Sequence, residues 1–317
     1  MFTSTKISRQ QPKKALDDKS NDRSQLIDDP RPTPDNCFGK LYLCATPIGN
    51  LEDITYRAVR TLREVDLVAA EDTRQTFKLF NHYEIKASIT SYHKFNIKQK
   101  TPFLIEKLKE GFNIAVVSDA GLPGISDPGM ELVSEAIRNN ICVIPIPGPS
   151  AVTTALVASG LNTDEFSFHG FLPSKKNLRK QFLSKYVDST HTLIFYESPH
   201  RLIATLEDIQ EIFGERMVCV ARELTKKFEE FTRAAPTELI EYYKKKGVKG
   251  EITLIISGAE KQVIEETLDM PDLLKKVQEL IEEGLQKKEA LKSIAKKYNV
   301  PKRELYQEYE KQDKVLE

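Results

Sequence analysis

The chain has 317 residues, of which 40% are apolar and 30% charged, so it is long enough for two globular domains and is neither fibrous nor wholly disordered. Its 47 basic and 47 acidic side chains cancel, so a polyanionic partner would have to be bound by local basic patches. No run of 18 uninterrupted apolar residues occurs, and we therefore expect a soluble protein without a membrane span.

The four cysteines are scattered along the chain and have no paired spacing: Cys37, Cys44, Cys142 and Cys219. This pattern favours reduced thiols in a cytoplasmic protein and argues against a zinc site or a disulfide framework. The beginning of the chain lacks an apolar block and contains six aspartates, which fits neither a signal peptide nor a transit peptide. We predict a disordered tail over residues 1–38.

From Lys40 onward, short apolar runs alternate with stretches of helical spacing. Runs rich in β-branched and aliphatic residues predict strands that are buried on both faces, at 40–45, 67–70, 114–117 and 141–144. The stretches between them predict helices at Tyr56–Val65, Pro102–Glu110 and Met130–Arg138. This alternation indicates an N-terminal α/β domain with a mostly parallel sheet, residues 39–147.

A second α/β domain, residues 148–258, follows the P-G-P-S-A break. Its helix is expected at Val152–Ser159, and its strands at 166–169, 192–196, 218–221 and 252–256. Two α/β domains joined near residue 147 would leave an interdomain cleft, which is where ligands usually bind.

After a linker at 259–270, the chain becomes helical again over residues 271–317. Gly284 and Asn299-Val300 separate short helices, and Pro301 occupies an expected first helical position. Five apolar side chains have the spacing of a small helix-turn-helix-like core: Ala290, Ile294, Tyr298, Val300 and Leu305. Seven basic residues and one acid between 285 and 303 favour contact with nucleic acid, although a solvated helix face is the alternative.

Three loops rich in Gly and Pro follow predicted strands, at 45–55, 118–129 and 147–151. They should meet at one edge of the sheet, where open α/β sheets bind ligands. Tight turns and helix caps alone explain any one such loop, but three together favour a binding site. The chain has neither G-x-G-x-x-G nor G-x-x-x-x-G-K-[ST]. Nearby acids would repel a phosphate and would suit ribose hydroxyls, an amino group or a sulfonium: Glu52, Asp53, Asp119 and Asp127.

Seven motifs occur in order along the chain: T-P-I-G-N-L-E-D-I-T, A-A-E-D-T-R, S-D-A-G-L-P-G-I-S-D-P-G, P-G-P-S-A, F-Y-E-S-P-H-R, A-R-E-L-T-K and K-G-E-I-T-L. Together they closely resemble the ribosomal RNA small subunit methyltransferase I family, within the tetrapyrrole methylase superfamily. The resemblance runs from about Lys40 to Gly258 and resumes in the C-terminal helices. Tetrapyrrole-acting relatives usually have a G-x-G-x-G-D loop where this chain has P-I-G-N. Leu122 replaces a threonine that is common in the family.

The resemblance implies a homodimeric, cytoplasmic enzyme that uses S-adenosylmethionine to methylate a cytidine 2′-hydroxyl in the decoding region of 16S ribosomal RNA. We expect small-subunit ribosomal RNA as the partner, presented as an assembled 30S particle, and naked RNA is the alternative that the sequence leaves open. Motif by motif, the resemblance places the cofactor against Pro47, Gly49, Asn50, Ser118, Asp119, Gly121, Ser126, Ser150, Ala151, Phe195, Tyr196, Ala221, Arg222 and Gly250.

A protonated ribose hydroxyl is a poor nucleophile, so a nearby base or hydrogen-bonding group would assist methyl transfer. The candidates follow apolar strands and cannot be ranked from one sequence: Glu71, Asp72, Glu197, His200 and Glu223. A capping or supporting role is the simpler interpretation of His200. The histidines lack the spacing of metal ligands, and we expect no metal.

RNA contacts are expected from basic patches in three parts of the chain, although solvated lysines are the simpler interpretation of each patch alone. The residues are Arg74, Lys94, Lys175, Lys176, Arg179, Lys180, Arg201, Lys287, Lys288, Lys302 and Arg303.

Two alternatives remain at this point. The chain could methylate a small, tetrapyrrole-like molecule, although the P-I-G-N loop and the basic C-terminal helices argue against this. It could also be an inactive RNA-binding module, although its intact glycine-rich loops argue against that.

Overall fold

A computed structural model of the protein describes residues 38–260, 269–298 and 300–313. The predicted tail lies outside these residues except for Phe38, and so does most of the predicted linker. The described residues form two compact units. One contains residues 38–46 and 54–148, and the other contains residues 47–53 together with 149 onward. The predicted domain boundaries stay predictions.

The first unit is built around a five-stranded sheet in which every strand pair is parallel. The strands are β1 Leu41–Cys44, β2 Leu67–Ala70, β3 Ser88–Ser91, β4 Ile114–Val117 and β5 Val143–Ile146, in the order β3-β2-β4-β1-β5. The helices are α1 Tyr56–Glu64, α2 Thr73–His82, α3 Ile97–Lys109 and α4 Met130–Arg138. The strand pairing confirms the predicted mostly parallel sheet. Two clusters of buried apolar side chains pack against it.

Four elements of this unit differ from the prediction, and one of them is the helix α2, which was not among the predicted helices. The strand β3 was missed, because its sequence S-I-T-S is polar and lies at the edge of the sheet. The strand β5 begins two residues later than predicted and includes Pro145, which an edge strand tolerates because it needs fewer ladder hydrogen bonds. The helix α3 begins at Ile97, so Pro102 lies inside the helix and not at its first position.

The second unit contains a mixed sheet with the order β6-β7-β10-β8-β9. Its strands are β6 Phe166–Phe171, β7 Thr192–Glu197, β8 Val218–Arg222, β9 Glu230–Ala234 and β10 Ile252–Ile256. Only β6 and β7 pair in parallel, and the other neighbours are antiparallel. The helices are α5 Ala151–Ser159, α6 Lys176–Ser184, α7 Leu202–Phe213 and α8 Pro236–Lys246. The edge strand β9 was missed.

Three C-terminal helices share a hydrophobic core of their own: α9 Met270–Glu282, α10 Lys287–Lys297 and α11 Lys302–Asp313. Ala290, Ile294 and Leu305 are buried in this core, and Tyr298 and Val300 pack against it, as their spacing predicted. Pro301 directly precedes α11, and its carbonyl oxygen accepts the first hydrogen bonds of the helix.

Cys44 and Cys219 are free and buried, and Cys142 is free and half-buried. Burial raises the pKa of the Cys44 thiol to about 12 and that of the Cys219 thiol to about 11, so both are unreactive near neutral pH. Within the described ranges, no helix combines the length and apolar character that crossing a membrane requires.

Candidate active site

The carboxyl edge of the parallel sheet is organised by the loop that follows β4, residues 118–129. Thr46, just after β1, pairs with Gly121 through two backbone hydrogen bonds, with N to O distances of 2.9 and 3.0 Å. Gly121 has a φ of +78°, a conformation that favours glycine. The Thr46 hydroxyl donates to the Ser118 carbonyl oxygen at 3.0 Å. The loops after β1 and β4 are therefore joined, as their positions in the sheet predicted.

The loop after β5 also approaches this edge closely. A Cβ atom on Gly148 would lie 2.8 Å from the Cβ atom of Ala45, a distance that real side chains do not adopt. Within the loop after β4, Ser126 has a φ of +65° although it carries a side chain. Strained backbone of this kind clusters at functional sites. These features mark the edge of the first sheet as a candidate ligand site.

A cluster of carboxylates lies at the ends of β2 and β4. The backbone N–H of Asp119 donates to Oε2 of Glu71 at 3.4 Å, and the N–H of Asp72 donates to Oδ1 of Asp119 at 3.1 Å. Asp72 also caps α2 and accepts hydrogen bonds from the backbone and guanidinium of Arg74, at 2.7 to 3.0 Å. Two of the predicted candidates, Glu71 and Asp72, are therefore brought together with Asp119.

These acids have different proton affinities. Burial raises the pKa of Glu71 and of Asp119. Burial, followed by the negative charges of Glu71 and Asp119, raises the pKa of Asp127 to about 6. The hydrogen bonds from Arg74 lower the pKa of Asp72 to about 2. A carboxylate whose pKa is raised is a better proton acceptor than one whose pKa is lowered, so Glu71, Asp119 and Asp127 are stronger bases than Asp72.

A cavity of about 360 Å³ adjoins this cluster in the first unit. Its lining combines acids, cations and an aromatic ring, and consists of Glu71, Asp72, Thr73, Arg74, Ser91, His93, Lys94 and Phe95. The two predicted RNA-contacting residues of this unit, Arg74 and Lys94, thus share a cavity with Glu71. The buried Nδ1 atom of His93 has no hydrogen-bond partner among the described residues.

In the second unit, the loop after β8 holds Glu223 in a tight turn. Glu223 and Thr225 have φ values of +51° and +62°. Oε1 of Glu223 accepts hydrogen bonds from Lys226 Nζ at 2.9 Å and from the N–H of Glu251 at 3.0 Å. Burial would raise the pKa of Glu223, but these two donors outweigh it and the net pKa is lowered. A side chain added at Gly250 would overlap the Glu223 carboxylate.

Residues 47–53 pack against this same turn within the second unit. The backbone N–H of Asn50 donates to the Thr225 hydroxyl at 2.9 Å. A Cβ atom on Gly49 would lie 2.5 Å from Cγ of Lys226 and 2.8 Å from the Leu224 carbonyl oxygen. The predicted cofactor residues Gly49 and Asn50 therefore pack against the turn that contains Glu223, and Pro47 belongs to the same unit.

Glu197, at the end of β7, is only 2% exposed. Its carboxylate accepts hydrogen bonds from the Ser198 N–H and the Thr205 hydroxyl, both at 2.7 Å, and pairs with Arg201 at 3.3 Å. Arg201 also donates to the Leu172 carbonyl oxygen at 2.7 Å. The ion pair between Glu197 and Arg201 therefore links the end of β7 to the backbone at Leu172. His200 is exposed in the turn before α7.

The structure contradicts one predicted RNA contact. Arg179 is 3% exposed, and its Nε donates to Oδ2 of Asp208 at 2.7 Å in a buried ion pair between α6 and α7. It is therefore unavailable to RNA phosphates, and the prediction is wrong for this residue. Lys180 forms an ion pair with Glu211. Lys175 and Lys176 are exposed.

The remaining predicted site residues differ in their burial and in their interaction partners. Arg222 donates to Glu230 at 2.7 Å, and Ser150 is the N-cap of α5, with Ala151 as its first residue. The side chains of Phe195 and Ala221 are fully buried, which leaves their backbone atoms as possible contacts. Tyr196 is half-buried and packs edge-on to Phe168, with ring centres 4.8 Å apart. In the C-terminal helices, Lys288, Lys302 and Arg303 are exposed, whereas Lys287 pairs with Glu310 at 3.0 Å.

Sequence reasoning noted Asp127 only as an acid near the glycine-rich loops and His93 only as part of a basic patch with Lys94, and it did not name Phe95. The signal for Asp127 was its place in S-D-P-G, directly after the strained Ser126. The signal for the other two was the short polar strand S-I-T-S before them, which was not recognised. Across the described residues, no group of three or more potential ligands is arranged to hold a metal ion.

Residues 40–240 match the family model for Tetrapyrrole (Corrin/Porphyrin) Methylases. The chain is also 50% identical over 273 residues to the ribosomal RNA small subunit methyltransferase I of Halalkalibacterium halodurans, covering 86% of this chain and 94% of that protein. The chain belongs to the ribosomal RNA small subunit methyltransferase I family. The Bacillus subtilis protein with the same name is 46% identical over 86% of this methyltransferase and 94% of its own length.

Solved structures support the fold of this methyltransferase. The methyltransferase CobJ matches with a TM-score of 0.53 and 16% identity, over 70% of this chain and 95% of that one. Diphthine synthase matches with a TM-score of 0.51 and 12% identity, over 69% of this chain and 90% of that one. The predicted fold class, two α/β units of the tetrapyrrole-methylase type with C-terminal helices, is confirmed.

Proposed function

We propose that this methyltransferase transfers a methyl group from S-adenosylmethionine to the 2′-hydroxyl of a cytidine in the decoding region of small-subunit ribosomal RNA. The names of the relatives support small-subunit ribosomal RNA as the substrate. The observation that carries the chemistry is the carboxylate cluster at the carboxyl edge of β2 and β4, with Glu71 beside a cavity that Arg74 and Lys94 also line.

The residues at the edge of the first sheet fit S-adenosylmethionine. Gly121 adopts a left-handed φ and Gly148 packs against Ala45, so the loops converge at this edge. The acids there would complement a positive sulfonium and ribose hydroxyls. Ser118, Asp119, Gly121 and Ser126 would hold the cofactor there, and the cofactor supplies a methyl group that its sulfonium already activates. The predicted contacts in the second unit remain predictions of the family resemblance.

Among the candidate bases, Glu71 is the residue that we propose assists the hydroxyl. Its pKa is raised, and it lines a cavity open to substrate. The pKa values of Asp72 and Glu223 are lowered instead, and Glu197 is buried with its partners. A carboxylate that has a raised pKa and accepts the proton of the hydroxyl can contribute about 10²- to 10⁴-fold to the rate. Alignment of the reacting atoms supplies much of the rest.

The RNA would be bound by cations from separate patches. Arg74 and Lys94 line the cavity, and Lys175 and Lys176 extend from the start of α6. The C-terminal helices add Lys288, Lys302 and Arg303. We propose an assembled 30S particle as the substrate, a homodimer as the active form and the cytoplasm as the location.

The test is transfer of radiolabelled methyl to naked small-subunit RNA, assembled small subunits and a porphyrin precursor, offered in parallel. We expect label in RNA at one alkali-resistant linkage, because a methylated 2′-hydroxyl cannot attack the neighbouring phosphodiester. Label in the porphyrin precursor alone would replace the proposal with a small-molecule methylase. No label at all, with cofactor still bound, would indicate an RNA-binding module.

A further inference from the structure

The turn between β3 and α3 presents one aromatic side chain to solvent. The side chain of Asn96 fixes this turn, because its Oδ1 accepts the N–H of His93 at 2.8 Å and its Nδ2 donates to the Ser91 carbonyl oxygen at 3.2 Å. Tyr92 anchors the beginning of the turn in the core and is 1% exposed. The position of Phe95 is therefore defined by hydrogen bonds on either side.

Phe95 is 85% exposed. A phenylalanine ring stabilises a fold by leaving water, so this ring contributes little to the first unit. Nζ of Lys94 lies 5.0 Å from the ring centre, and the His93 ring packs edge-on at 6.0 Å. An exposed aromatic ring with a cation over it is the kind of surface on which nucleic acid bases stack.

The cavity beside this ring has the properties of a nucleotide site. Its volume of about 360 Å³ falls in the range of small-ligand pockets. Arg74 remains 85% exposed while it pairs with Asp72, and with Lys94 it supplies positive charge for phosphates. Aromatic stacking together with phosphate and hydroxyl contacts is how proteins recognise single-stranded RNA.

We propose that Phe95 is a stacking platform for a base of the RNA substrate, in the cavity where Lys94 and Arg74 bind the flanking phosphates. The inference rests on the proposed function and deepens it by assigning a residue to base recognition. A second copy of the chain is the competing occupant of this surface. The exposed ring beside Lys94 favours an aromatic polyanion instead, because Asp72 in the same lining caps α2 and Glu71 is the proposed base.

The chain contains no tryptophan, so Phe95→Trp introduces a single fluorescent reporter at the proposed platform. We expect its emission to be quenched when naked small-subunit RNA, or cytidine 5′-monophosphate at higher concentration, is added. Phe112→Trp is the matched control. Nζ of Lys107 also lies 5.0 Å from the Phe112 ring, but Phe112 precedes β4 and therefore lies at the opposite edge of the sheet. Its emission should not change.

The second measurement is steady-state methyl transfer by the full-length protein at saturating S-adenosylmethionine. Phe95→Ala should lower kcat/KM for the RNA substrate about 5- to 150-fold, the range expected for one stacked base. Phe95→Tyr should retain activity within about threefold, because it keeps the ring. Phe112→Ala should match the wild type, and all variants should bind S-adenosylmethionine with unchanged affinity in calorimetry.

The outcomes separate the two proposals. If the wild type methylates RNA while Phe95→Ala is fully active and Phe95→Trp is not quenched, the stacking role is overturned and the proposed function stands. If RNA quenches Phe95→Trp but neither naked small-subunit RNA nor assembled small subunits receive a methyl group from the wild type, the proposed function fails and the stacking role survives. Quenching that appears when the protein is concentrated without RNA would identify a second copy as the occupant and would overturn the inference.

Discussion

Asp72 and Asp127 belong to one acidic cluster, yet removing their charges should change stability in opposite directions. Burial, followed by the charges of Glu71 and Asp119, raises the pKa of Asp127 to about 6. An aspartate in an unfolded chain titrates near 3.9, so the ionised form of Asp127 destabilises the folded protein. We expect Asp127→Asn to stabilise the protein near neutral pH.

The magnitude and its pH dependence follow from this shift. About two pKa units correspond to about 3 kcal/mol, and solvent screening of this half-buried side chain reduces the effect to about 1 kcal/mol. Below about pH 4 the carboxyl is protonated in both states, and above about pH 6 it is ionised in both. Asp127→Asn should therefore raise the free energy of unfolding by about 1 kcal/mol at pH 8 and should leave it unchanged at pH 4.

Asp72 provides the contrasting case. Hydrogen bonds from Arg74 lower its pKa to about 2, so its contribution to stability is present above about pH 4 and disappears as the pH falls towards 2. Asp72→Asn retains a good N-cap for α2 but loses the charge that attracts Arg74. It should be less stable than the wild type at pH 8, and the difference should vanish in acid.

Urea unfolding of the wild type and both variants, followed by circular dichroism between pH 2 and pH 8, measures these differences. A gain for Asp127→Asn that is equal at pH 4 and pH 8 would refute the electrostatic explanation, and so would a loss at pH 8. The same variant should methylate RNA more slowly, because stability at a functional site is commonly gained at the expense of activity.

Three further predictions concern the site and the substrate. Glu71→Gln should lower kcat about 10²- to 10⁴-fold in a protein at least as stable as the wild type near neutral pH, because burial raises the pKa of Glu71. Glu197→Gln should lower stability and leave the kcat of the folded enzyme unchanged. The reverse pattern would exchange their roles. Arg179→Met should reduce the free energy of unfolding by about 3–5 kcal/mol, because it strands the buried carboxylate of Asp208, while Lys180→Met should change it by about 1 kcal/mol or less. RNA affinity in filter binding should fall steeply between 50 and 200 mM salt; equal affinity at both would exclude phosphate contacts.

The parallel sheet of the first unit could be predicted because buried strands such as β4, with the sequence I-A-V-V, have continuous apolar runs. The strands β3 and β9 were missed for a common reason. Both lie at sheet edges, where one side is not paired and polar side chains are tolerated. Their sequences, S-I-T-S and E-F-T-R-A, therefore carry little of the apolar signal that identified the central strands.

The functional site was predicted less evenly than the sheet. Motifs identified the edge loops and Glu71 as candidates, but they could not distinguish charged side chains that line a cavity from those that form ion pairs between helices. Arg179 was assigned to RNA because its neighbours are basic, yet it lies four residues before Leu183, and both are buried on the inner face of α6. The helical spacing of these two residues was the signal that could have excluded Arg179.

The proximity of acids and cations at the cavity has a chemical explanation under the proposed function. A ribose 2′-hydroxyl is bonded next to the carbon that carries the 3′-phosphate, so any carboxylate that takes its proton must approach a negative charge. Glu71 alone would repel the RNA that it is meant to activate. Arg74 and Lys94, in the lining of the same cavity, offset that repulsion, because a cation near both groups attracts each of them. The cavity thus combines a base for the hydroxyl with a counter-charge for its phosphate, a combination that a substrate without phosphates would not require.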